Sequence, residues 1–294
     1  MFDLRYHVAS LAAVFLALVI GILVGVGIAS QTSVEESERR VLQDQIARLE
    51  RERDSRAAEA DQLRRQQTAS ATYIERSYPA VMEGRLRGVR VALLFIGPED
   101  PGLEAAVTQT LEDASAPGLV RMRALLLPVT AEAVTGPLEA DQGATLALEE
   151  VGRRLGREFV AGGETPFWDA LAEVIVEDNL GGSSEEVDAV VVVHTARIND
   201  APTARFVSGL YAGIAGTGAP AIGVEGMNAQ PSRIAVYRGA GLSTVDSVDT
   251  AVGRVALAEL LRGGPEGNYG VKSTAEDGSV PQLEPLPLAP VPGG

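Results

Sequence analysis

The sequence predicts an α/β protein: an N-terminal transmembrane helix and coiled-coil stalk, followed by a three-layer α/β/α domain with a mostly parallel sheet. Three observations predict it. Residues 8–29 form an uncharged apolar run whose only polar side chain is Ser10. A highly charged stretch without proline or glycine follows to about residue 77. Short apolar runs then alternate with helical patterns, as in sheets covered on both faces.

At about 1.5 Å rise per residue, the apolar run just crosses a hydrocarbon core of about 30 Å. A secretory signal is the competing reading, because Gly27-Ile28-Ala29 has the small-x-small form of a cleavage site. Such signals carry apolar regions of roughly 7–15 residues, however, and this run is longer. Ala9, Ala13, Ala17, Gly21, Gly25 and Ala29 place a small residue at every fourth position. Ala17, Gly21 and Gly25 are candidate contacts in a membrane-embedded homodimer, although small residues are also ordinary in spanning helices. Arg5 and the terminal amine precede the span, whereas the first arginines after it are Arg39 and Arg40, behind Glu35, Glu36 and Glu38. That asymmetry predicts that residues 1–30 are a short cytoplasmic N-terminus plus a single-pass anchor in the cell membrane, with the C-terminal body extracytoplasmic.

Residues 31–78 read as the stalk. Ile46 and Ile74 at a, with Leu42, Leu49 and Leu63 at d, fit one heptad frame, the pairing favoured by parallel two-stranded coiled coils. Arg53, Arg56, Ala60, Gln67 and Ser70 fill the other seam positions, so the middle of the seam is weak and a solitary solvated helix competes. Tethering two copies in one bilayer raises their local concentration and helps such a seam close. A helix of about 45 residues spans about 70 Å.

Pro79, Gly84 and Gly88 mark a boundary, and residues 88–270 read as one domain. Strands are expected at 89–97, 119–129, 187–194, 219–224 and 233–237. Helices are expected at 101–114, 138–159, 166–180, 202–215 and 248–261. Residues 271–294 are rich in proline and glycine and are expected to be a disordered tail.

Net charge and residue inventory bound the function. A net charge of −15 argues against a nucleic-acid partner, which needs a concentrated basic surface. Cysteine is absent, which excludes disulfides and thiolate metal sites, and Lys272 is the single lysine, read here as a composition habit. Gly216-Thr217-Gly218 precedes a strand rather than opening a helix, so no phosphate cradle and no cofactor is expected. Ligands in parallel sheets sit at the carboxyl ends of strands. Three such ends carry polar groups: Glu99 and Asp100, then His194 with Arg197 and Asn199, then Glu225. Glu99, His194 and Glu225 are the metal-ligand candidates; His7 and the methionines Met1, Met82, Met122 and Met227 show no ligand spacing. No nucleophile with a paired base emerges, and no enzyme is expected.

The opening LRYHVASLAAVFLALVIGILVGVG, the charged stalk, and the closing VDSVDTAVGRVALAELL with NYGVK after it resemble the actinobacterial MctB family, mycobacterial copper transport protein B, which includes the corynebacterial SteB proteins. The resemblance extends to about Lys272. It implies copper homeostasis or efflux, with copper as the one metal it would bring. Its SteB branch implies a cell-envelope or cell-separation role alongside a SteA-like membrane partner. A pore in an outer membrane needs a closed β-barrel, whereas this sequence reads as one apolar helix and an α/β body. The reading that unites these features is an extracytoplasmic scaffold or adaptor, with copper efflux as the alternative.

Overall fold

The computed structural model describes residues 4–142, 146–180 and 185–285. The chain divides into two compact units, Met1–Ala71 and Thr72–Gly294.

Helix α1 (Leu4–Met82) runs through the first unit and ends in the second. Its segment Tyr6–Gly27 is long and apolar enough to cross a membrane, and its described side chains are exposed all round. A Cβ added at Gly21 or Gly25 would meet nothing within 4 Å, so the small-residue stripe is open on this chain. Further along, Glu52 pairs with Arg56 at 2.6 Å and Asp61 with Arg64 at 3.2 Å, spacings that support an exposed helix by a few tenths of a kcal/mol each. Leu42, Ile46, Leu49 and Leu63 stand exposed, Leu49 at 63 %.

The end of α1 belongs to the second unit. The helix continues past Pro79 to Met82 because Met82 and then Leu86 are fully buried in the domain core. Around this exit Tyr78 donates to Asp113 at 2.5 Å, and Arg254 donates to Tyr78 at 2.9 Å while lying over its ring. Arg85 pairs with Glu259 at 2.5 Å, both buried.

The domain then runs β1 (Val91–Ile96), α2 (Pro101–Asp113), β2 (Leu119–Leu125), α3 (Ala131–Gln142), α4 (Leu148–Ala161), α5 (Pro166–Ile175), β3 (Val176–Leu180), β4 (Ala189–His194), α6 (Ala201–Ala215), β5 (Ala221–Val224), α7 (Ile234–Gly239), β6 (Ser243–Val245), α8 (Ala251–Leu261) and β7 (Asn268–Tyr269). Sheet order is β3-β2-β1-β4-β5-β6-β7. All neighbours are parallel except β2 with β3. Successive strand residues point to opposite faces. Leu94, Ile96, Val190 and Val192 therefore enter one core with α4, α5, α6 and α7, while Leu93, Phe95, Val191 and Val193 enter the other with α2, α8 and Met82. Burial on both faces is why β1 and β4 read as continuous apolar runs.

Helices α4 and α6 touch backbone to backbone. Gly152 and Gly156 face the carbonyls of Phe206 and Leu210, while Gly209 and Gly213 face those of Glu149 and Arg153, so a Cβ at any of the four would collide.

Several expectations change. The strand expected at 233–237 is instead the start of helix α7, with Arg233 at its N-cap, since Ile234 and Tyr237 are buried three positions apart with Val236 exposed between them. Residues 126–129 lie beyond the end of β2. The helix expected at 138–159 is two helices, α3 and α4, with residues 143–145 outside the described residues. The last part of the one expected at 166–180 is β3, an antiparallel edge strand. The tail expected beyond Gly270 is held as far as residue 285: Asp246 accepts from the amides of Val271 and Lys272 at 2.9 and 3.3 Å and from the Thr274 hydroxyl at 2.6 Å, and Pro281 is buried. Hydrogen bonds to a buried carboxylate order this stretch, which a count of apolar residues does not register. Residues 286–294 lie outside the described residues.

Candidate functional site

Because β1, β4 and β5 are adjacent and parallel, their carboxyl ends share one edge. The order reverses between β1 and β4, where such sheets usually open a ligand crevice. Here the crevice is closed by backbone. The Ile96 carbonyl accepts from Thr195 and Ala196 amides at 3.2 and 3.0 Å, and the Thr195 hydroxyl donates to the Pro98 carbonyl at 2.6 Å. Gly97, with φ of +113°, permits this approach; a Cβ there would lie 2.6 Å from that of Ala196.

The open space lies one strand across. A cleft of about 230 Å³ above β4 and β5 is lined by Asp100, His194, Arg197, Glu225 and Arg233 among others. A second, of about 330 Å³, lies on the other side of the closed seam between Leu126, Pro128, Arg197 and Asn199. Glu99 lines neither cleft.

The acidic members of the first cleft are already engaged. Asp100 caps α2, its Oδ1 accepting from the amides of Gly102 and Leu103 at 2.9 and 3.1 Å. Glu225, 3 % exposed, accepts from the Ser232 hydroxyl at 2.9 Å, the Arg233 amide at 2.7 Å and Lys272 Nζ at 2.8 Å. Lys272 is thus a structural partner, which the composition reading missed; its being the single lysine, inside NYGVK, was the available signal.

His194 ends β4 and is 9 % exposed. Its amide donates to the Tyr237 hydroxyl at 2.7 Å, and its Nδ1 lies 3.0 Å from the Tyr211 hydroxyl. Burial first, and then the positive charge of Arg233, push its pKa down to about 4, so the ring is neutral at physiological pH. Nε2 is buried without a hydrogen-bond partner. Neither tyrosine could be placed from sequence, since α6 and α7 bring them from distant positions.

As a donor set for copper these residues fit poorly. Of the three candidates, only His194 and Glu225 share the cleft, and Glu225 is fully engaged. Among the described residues no group of three or more His, Asp or Glu is placed to hold a metal ion. The candidate dimer contacts Ala17, Gly21, Gly25, Leu42, Ile46, Leu49 and Leu63 all lie exposed on α1.

Comparison with known proteins adds what the geometry does not carry. A family described as "Copper transport outer membrane protein, MctB" matches residues 1–280. Proteins named "Copper transporter MctB" from Mycobacterium bovis and from two strains of Mycobacterium tuberculosis are 28 % identical over 333 residues, covering 96 % of this chain and 100 % of theirs. With the match running from the apolar helix through the whole α/β body, this chain belongs to the MctB family.

Proposed function

We propose that this protein is a single-pass scaffold or adaptor of the cell envelope, taking part in copper handling through partners rather than as a conduit or an enzyme. The observation that carries this reading is α1, one helix that combines a membrane-length apolar segment with a charged stalk whose heptad leucines and isoleucine are uncovered. A second copy of the same chain would cover both the Gly21–Gly25 stripe and the Leu42, Ile46, Leu49 and Leu63 seam. The α/β body then sits outside the cytoplasm, available to a membrane partner of the SteA kind. The absence of cysteine makes the test clean. Leu42→Cys and Leu49→Cys should crosslink between copies in native membranes, whereas Arg51→Cys, on the opposite side of the heptad, should not. Equal crosslinking at all three positions, or none, would remove the paired stalk.

Direct copper handling is the second reading, favoured by the names of the family and its relatives. It requires metal bound in stoichiometric amount by the purified protein and lost in His194→Ala. Metal-free protein at saturating copper leaves the scaffold alone.

A further inference from the structure

The cleft over β4 and β5 is lined by two arginines and two carboxylates, and the carboxylates are engaged elsewhere. Glu225 is matched by Lys272 at 2.8 Å, and Asp100 is spent on the α2 amides. Arg197 and Arg233, by contrast, form no ion pair among the described residues, in a chain whose net charge is −15. Arg233 is held in place by donating to the Ala196 carbonyl at 2.8 Å, while Arg197 is exposed at the cleft mouth. Beside them the wall holds the buried imidazole of His194. Its Nδ1 is taken by the Tyr211 hydroxyl at 3.0 Å, and its Nε2 is buried without a hydrogen-bond partner. Two unpaired guanidinium groups and the unpartnered Nε2 thus face a cleft of about 230 Å³, whose carboxylates, Asp100 and Glu225, are held by the α2 amides and by Lys272. Unsatisfied buried polar atoms are rare in native structures and ask for an explanation.

We infer that this cleft binds a small oxyanion group, a carboxylate or a phosphate, clamped by Arg197 and Arg233 and seated on His194. Planar guanidinium forks match both groups in geometry, and charge-assisted bonds of this kind are roughly twice as strong as neutral ones. The closed seam between β1 and β4 rules out the usual dinucleotide position. The site therefore takes a terminal group and not an extended cofactor. This inference stands apart from the copper and scaffold readings, since neither requires an anion.

The test uses the full chain in detergent, followed by thermal unfolding with inorganic phosphate, succinate or chloride at matched ionic strength. Phosphate or succinate should raise the melting temperature above the chloride control, and whichever acts at lower concentration identifies the class of anion. Arg197→Ala should weaken the apparent affinity at least about tenfold, as for a lost charge-assisted contact, while Arg205→Ala, an exposed arginine outside the cleft, should not. The chain has only two histidines, so the ring signals of His194 can be followed against those of His7. They should shift on titration of the active anion and stay still in Arg197→Ala. An effect no greater than that of chloride, equal affinity in Arg197→Ala, or an unmoved His194 would each overturn the site.

Discussion

Tyr237 shows how much of the carboxyl edge depends on single side chains. Fully buried, it accepts from the His194 amide and packs its ring where any side chain on Gly223 would stand. Removing its hydroxyl in Tyr237→Phe strands that amide, at a cost of about 1–3 kcal/mol, read as a lower unfolding temperature. Lys272→Met would leave Glu225 buried without its cation. It should cost about 3 kcal/mol, more than any exposed arginine of the stalk. His194 has a pH signature. Its folded pKa is depressed to about 4, whereas an unfolded histidine titrates near about 6.5. The unfolded chain therefore binds the proton first as pH falls, and stability contributed by the neutral ring is lost between those two values. The loss should reach about 3 kcal/mol by pH 4. In His194→Gln this loss should be absent, so the wild-type-minus-variant stability difference should fall by about 3 kcal/mol across that window.

At the scale of elements, the pairing of α4 and α6 is the tightest joint in the domain. Gly152-x-x-x-Gly156 faces Gly209-x-x-x-Gly213, which places the small-xxx-small device in the α/β body as well as in the apolar span. Gly156→Ala should destabilise by at least about 2 kcal/mol, since the methyl meets a carbonyl that neither helix can withdraw. Gly21→Ala should leave the monomer unaffected, because nothing lies near it; circular dichroism melts of the two variants separate these outcomes. The main misreading belongs at this scale too. Residues 233–237 have β-branched and aromatic side chains that suit a strand, and only the burial of Ile234 and Tyr237 on one side makes them a helix.

At the scale of the whole molecule, the second unit closes on residues 271–285. Asp246 and Glu225 receive Val271, Lys272 and Thr274, while buried Glu259 joins Arg85, just past the end of α1, to Arg262. Since Lys272 is the only lysine, a lysine-specific protease has one site to cut. Wild-type protein should resist it, and Asp246→Ala should be cleaved at least about tenfold faster as the stretch opens; an unchanged rate would show that Asp246 does not hold it.

Length, apolar continuity and charge along the chain were enough to reveal the membrane-length helix, the charged stalk and the two central strands β1 and β4. These are properties of consecutive residues, and the physics that selects them is local: backbone rise, side-chain periodicity and burial on both faces of a sheet. Tertiary structure alone decided the closed β1–β4 seam, the partners of His194, Glu225 and Lys272, and the ordering of residues 271–285. Those depend on which polar atoms meet after long loops close, and an individual carboxylate or tyrosine looks the same in the sequence whether or not its partner is 40 or 170 residues away.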